Sequence, residues 1–160
     1  MSFSERTNTT RWIIISICFL IITLILWNTY TFFQIFKNEE RIKMNLFVKA
    51  QISLVNADEY TDLDLPLQII NNNTSIPGVI MLYDNVVSAK NVPDDILSNN
   101  KKRKALLNKL KNENEPITFE YAPGKYQTLY YGNSELLNKL KYYPVALVLI
   151  IFLCIALIYN

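Results

Sequence analysis

The sequence predicts an α+β fold, in which a small antiparallel sheet and its helices are held between two apolar helices long enough to cross a membrane. Trp12 to Phe36 is a run of 25 residues without a charge, and Tyr142 to Asn160 is a second of 19. The 105 residues between them hold 14 of the 16 Lys and Arg and 13 of the 14 Asp and Glu. Within that polar middle, short β-branched and aromatic runs bounded by turn residues alternate with leucines at helical spacing. The mean hydropathy of +0.12 averages the two regimes and describes neither. The expected organisation is a tail at residues 1–11, a first span at 12–33, a water-exposed domain at 34–141 and a second span at 142–160.

Composition excludes several classes of function. A net charge of +2 lacks the basic excess of a nucleic-acid-binding surface. The chain has no histidine, which removes a Ser-His-Asp triad, an H-E-x-x-H zinc site and a phosphoacceptor histidine from these 160 residues. Cys18 and Cys154 both fall in the apolar runs, where thiols pack as small hydrophobes, so neither a disulfide framework nor a metal site is expected. No catalytic residue, cofactor or metal ligand is predicted.

About 20 helical residues cross a hydrocarbon core of ~30 Å. The first run meets that length, with Trp12, Trp27 and Tyr30 suited to the membrane interfaces. Arg6 and Arg11 precede it as in a signal peptide, but no small-residue cleavage site follows Trp27, so an uncleaved anchor is expected. The second run barely spans and has no Lys or Arg beyond it, which reads as a truncated span. Both termini then share one side. Arg6 and Arg11 favour the cytoplasm for them, although Lys37, Arg41, Lys43, Lys139 and Lys141 blunt the contrast. A segment of this length is translocated largely regardless of its charge, which places the middle domain outside.

The first helix is expected to continue past the membrane, with Leu46, Phe47, Ala50, Leu54 and Ala57 at spacings of three and four, and to end at Asp58, Asp62, Asp64 and Pro66. Leu67–Ile70, Val79–Tyr83 and Val86–Lys90 read as strands, the last two joined through Asp84-Asn85. Pro93, Asp94 and Asp95 open a helix that buries Ile96, Leu97, Leu106, Leu107 and Leu110. Its basic run Lys101, Lys102, Arg103 and Lys104 reads as a solvated face. Ile117–Tyr121 and Tyr126–Tyr131 form a hairpin about Ala122-Pro123-Gly124-Lys125, a turn with Pro first and Gly second at its centre. Asn133 or Ser134 caps a helix carrying Leu136, Leu137 and Leu140 toward Tyr142, Tyr143 and Pro144, where proline forces a kink or restart. Four or five strands with helices on one side are expected. The aromatics Tyr83, Phe119, Tyr121, Tyr126, Tyr130 and Tyr131 read as cross-strand core pairs rather than a ligand pocket. The sequons at Asn72 and Asn73 read as turn chemistry.

Four stretches carry a family resemblance: Ile76-Pro77-Gly78-Val79-Ile80-Met81-Leu82-Tyr83-Asp84, Asn114-Glu115-Pro116-Ile117, Tyr130-Tyr131-Gly132-Asn133-Ser134-Glu135-Leu136-Leu137 and Leu140-Lys141-Tyr142-Tyr143-Pro144. In order and spacing they resemble the N-terminal sensory region of bacterial membrane-bound sensor histidine kinases. The chain departs from that family in having Asn133 where Asp is common and in the extra Gly78 after the proline. The resemblance implies a PAS/Cache-like domain at most, placed outside the bacterial cytoplasmic membrane. It further implies a homodimer, a ligand that remains unknown, and a cytoplasmic kinase portion beyond this chain, which would receive the signal. On that reading Leu46, Phe47, Ala50, Leu54, Leu136, Leu137, Leu140, Tyr143 and Pro144 are the expected transmitting positions. The rival expectation is a stand-alone two-span structural or assembly protein whose outer domain binds a partner.

Overall fold

The computed structural model describes residues 3–159, without the side chains of residues 3–10, 154, 155 and 157–159. The packing expected of the Cys154 thiol, the charge placed at Arg6 and the chain end at Asn160 therefore lie outside the described groups. The chain divides into two compact units, Met1–Ile35 with Lys139–Asn160, and Phe36–Asn138.

Helix α1 (Phe3–Val55) is continuous through the apolar run and beyond it. Its 53 residues amount to about 80 Å of helix. In the apolar part nearly every large side chain is exposed, Phe19 at 70% and Trp27 at 76%. The hydroxyls of Thr23, Thr29 and Thr31 donate to the carbonyls of Phe19, Ile25 and Trp27 one turn back, so these polar groups are satisfied within the helix. After α5 (Glu135–Leu140) the chain turns at Lys141-Tyr142 and restarts as α6 (Tyr143–Tyr159). Pro144 sits in the first turn of α6, where its missing N–H costs no helical bond, as the expected restart requires. Two helical stretches, Arg11–Val55 and Glu135–Leu153, are long and apolar enough to cross a membrane.

The unit Phe36–Asn138 is built on a four-stranded antiparallel sheet of order β2-β1-β4-β3, from β1 (Gly78–Leu82), β2 (Asn85–Lys90), β3 (Ile117–Ala122) and β4 (Lys125–Tyr131). Two hairpins, β1–β2 and β3–β4, meet at the central pair, where Val79 faces Tyr130 and Ile80 faces Leu129. Both hairpins form where strands were expected, but the β1–β2 connection is Tyr83-Asp84 rather than Asp84-Asn85, because Leu82 pairs with Asn85 and draws it into β2. The β3–β4 turn has Gly124 at φ 71, the left-handed conformation that its place after Pro123 demands.

Helices cover both faces of this sheet, not one. On the first face Met44, Phe47 and Val48 of α1 pack with Ile76, Ile80, Phe119, Leu129 and Tyr131. On the second, Val79 and Met81 pack with Leu110 of α4 (Asn100–Glu113) and with Leu97, Leu106 and Leu107. Alternation along β1 and β4 supplies both faces at once, because successive side chains point to opposite sides. Gly78 opens β1 where a Cβ would meet Met44 Cε and Leu129 Cδ1 at 3.3 Å. The absence of a side chain there lets α1 approach the sheet closely.

Three expectations are corrected. Leu67–Ile70 is not a strand but part of α2 (Asp64–Asn72), because Leu63, Leu67 and Ile70 recur at helical spacing and Pro66 lies in the tolerated first turn. Asp64 and Pro66 thus open α2, whereas α1 has already ended at Val55. The helix expected after Pro93 is two helices, α3 (Asp94–Ser98) and α4, broken at Asn99, whose extended backbone and side-chain cap to the N–H groups of Lys101 and Lys102 start α4.

Candidate functional site

The most connected polar cluster forms where α1, the end of α4 and the β4–α5 turn converge. Helix α1 turns Lys37, Glu40, Arg41 and Met44 toward the sheet at spacings of three and four, so three charged side chains precede the apolar core contacts on one helical face. Glu40 is 9% exposed and accepts from the Ser134 N–H at 3.1 Å. Lys37 donates to the Glu113 carbonyl at 3.0 Å. Arg41 donates to the Tyr131 hydroxyl and the Glu115 carbonyl, each at 3.4 Å, and lies 3.6 Å from the Glu115 carboxylate. The Arg41–Glu115 ion pair is largely in water and contributes little by itself.

The β4–α5 turn supplies the other half. Ser134 caps α5, its Oγ accepting from the Leu137 N–H at 3.2 Å, which assigns the expected cap to Ser134 rather than Asn133. Asn133 donates its N–H to Glu113 Oε2 at 2.9 Å and accepts from Asn114 Nδ2 at 3.0 Å. An Asp at 133 would put a second carboxylate on the residue whose N–H the Glu113 carboxylate already accepts from, so neutrality at Asn133 fits its surroundings. The Gly132 N–H donates to the Pro77 carbonyl at 2.9 Å, and a Cβ on Gly132 would come within 2.7 Å of Glu113 Oε2 and Leu110 Cδ2. Among the described residues every buried side-chain N or O has a hydrogen-bond partner, these included. Burial pushes the Tyr131 phenol above its usual range, partly opposed by the Arg41 guanidinium beside it.

Of the transmitting positions read from the sequence, Phe47, Ala50 and Leu137 are buried, and Leu54, Leu140 and Pro144 are half-buried. Leu46, Leu136 and Tyr143 are exposed, so the inward face of α1 runs through Met44, Phe47, Val48 and Ala50, with Leu46 off it. The six aromatics do not line one cavity. Phe119, Tyr121 and Tyr131 pack on the α1 face and Tyr130 on the α4 face, while Tyr83 and Tyr126 point to solvent. Asn73 closes its own turn, its side chain bonded to both the N–H and the carbonyl of Ile76. The basic run is a solvated face in which Lys102 pairs with Asp95 at 2.9 Å and Arg103 donates to the Leu97 carbonyl. Among the described residues no three His, Cys, Asp or Glu side chains are grouped so as to hold a metal ion.

Glu40, Arg41 and Glu113 escaped the sequence reading. The one available signal was the position of Glu40 four and seven residues before Met44 and Phe47, a carboxylate on the helical face that leads into the core. Pro77, Asn114-Glu115 and Tyr131–Ser134, distant in sequence, come together here. No protein family, no curated protein and no solved structure matches this chain.

Proposed function

We propose that this chain is the signal-input region of a two-component sensor histidine kinase, with a PAS/Cache-like domain outside a bacterial cytoplasmic membrane and α1 and α6 passing through the bilayer. The observation that carries the reading is the continuity of α1 from the apolar run into the sheet, where Met44, Phe47 and Val48 are buried. A helix of this kind turns a change in domain packing into a displacement along or about its own axis. The exposed apolar surface from Trp12 to Phe36, with its threonine hydroxyls satisfied within the helix, suits lipid as solvent. A stimulus would favour one of two arrangements of the domain by its differential affinity for them. The output would pass through α5 and α6 to the kinase portion, in a homodimer.

A topology reporter fused after Asn99 tests the placement. It is expected to be active only outside the cytoplasm, and cytoplasmic activity would overturn the reading. The natural coding sequence beyond Asn160 tests the output. A helix with a His-Glu phosphoacceptor pair supports the kinase, and any other output domain excludes it.

A further inference from the structure

The β4–α5 turn offers three consecutive backbone N–H groups to three separate elements. Gly132 donates to Pro77, which precedes β1, Asn133 to the carboxylate of Glu113 at the end of α4, and Ser134 to the carboxylate of Glu40 in α1. Helices on opposite faces of the sheet thus grip adjacent atoms of one turn. A buried carboxylate is a costly acceptor where a neutral amide would serve, but its bond to an N–H is charge-assisted and stronger. Ser134 is committed on both sides, its N–H to Glu40 and its Oγ to the Leu137 N–H. The first turn of α5 therefore hangs from the residue that α1 holds.

We propose that Glu40 is the positioning residue of α5: its carboxylate fixes where α5 begins relative to α1, and Glu113 holds the neighbouring N–H from the other face as a reference. Apolar contacts such as that of Leu137 tolerate sliding, whereas a hydrogen bond to one N–H defines a single register. A shift of α1 must carry Ser134 with it or break this bond. Its use in signalling rests on the signal-input reading, but its existence does not.

Amide hydrogen exchange of the whole chain in lipid nanodiscs tests it. Glu40→Ala is expected to speed exchange at Ser134, Leu137 and Asn138 roughly 10- to 100-fold, the loss anticipated for one charge-assisted bond. The sheet amides of Ile80 and Leu129 are expected to keep their protection. Glu40→Gln, which retains an acceptor, is expected to restore most of the protection, and Glu113→Ala to free chiefly Asn133. Unchanged exchange at Ser134–Asn138, or an equal rise throughout the sheet, would overturn the proposal, the latter by showing only general destabilisation. If Glu40→Ala opened α5 as expected but left the stimulus response of the full-length parent intact, the clamp would stand and its use in signalling would fail, whereas a parent with no kinase output would sink the signal-input reading and leave the clamp untouched.

Discussion

Two of the three glycines are required for different reasons, and substitution separates them. Gly124 has φ 71 and open space where a Cβ would go, so the cost of any L-residue is backbone strain alone. Gly124→Ala should cost about 1 to 2 kcal/mol, and Gly124→Val somewhat more because a β-branched side chain crowds a left-handed backbone, not because it meets a neighbour. Gly132 is required by crowding, since its Cβ would press on Glu113, Leu110 and Pro77. Gly132→Ala should cost about 1 to 3 kcal/mol and Gly132→Val distinctly more, as overpacking grows with volume. Chemical denaturation of the four variants checks both accounts, and equal losses for Ala and Val at Gly132 would refute the crowding account. The first role was legible, because a Pro-Gly pair between two apolar runs is a local signal. The second was not, because Leu110, Glu113 and Pro77 reach Gly132 from other elements. Tyr83 shows the converse limit: it takes φ 54 in the β1–β2 turn, where its sequence neighbours Asp84 and Asn85 looked better suited.

At the scale of elements, what was legible depended on how local the determinant is. The two hairpins were readable because turn chemistry and period-two apolar runs lie within a dozen residues. Leu67–Ile70 was misread because a four-residue apolar run is equally a strand or one helical turn, and Pro66 seemed to bar the helix that it in fact helps to begin. The edge strands carry a feature no sequence pattern announced. The register shifts between Ile80 and Met81 against β2, and between Glu120 and Ala122 in β3, so both outer strands are bulged. Such bulges spoil a sheet edge as a template for another strand. The break at Asn99 is the most testable of these local devices. Asn99 Oδ1 accepts from Lys101 and Lys102, at 3.0 and 3.2 Å, in a first turn that holds Lys101, Lys102 and Arg103 and no acid. Cations there oppose the helix dipole, so α4 depends on its cap more than an acid-led helix would. Asn99→Ala should therefore destabilise the domain by about 1 kcal/mol, and Asn99→Asp, which caps and also neutralises, should not. Equal losses in thermal melts of the two variants would show that the cap bond is not what starts α4.

For the whole molecule, both apolar helices and the polar domain between them were legible in the sequence, because the apolar runs are long and uniform in composition. The joint between α1 and the start of α5 stayed hidden, since Glu40 and Ser134 are 94 residues apart and only folding brings them together. That joint gives a mechanical prediction for the proposed sensor. Helix α5 is a single short turn-and-a-half from Glu135 to Leu140, capped by Ser134 and followed at Tyr143 by the apolar α6. A helix passes on a displacement only while its backbone hydrogen bonds persist, and each inserted Gly costs about 1 kcal/mol of helix stability relative to Ala. Inserting Gly-Gly between Lys139 and Leu140 should thus loosen α5 below its cap without touching the Glu40 bond or the apolar run. The control belongs between Glu59 and Tyr60, in the exposed connection from α1 to α2, and not at Asn99-Asn100, where it would remove the α4 cap. In the full-length parent, the Lys139 insertion should leave membrane insertion and basal autophosphorylation in place while sharply reducing the stimulus response, and the Glu59 insertion should spare all three. An intact response with Gly-Gly after Lys139 would mean that α5 is not the route by which the domain reaches the second apolar helix.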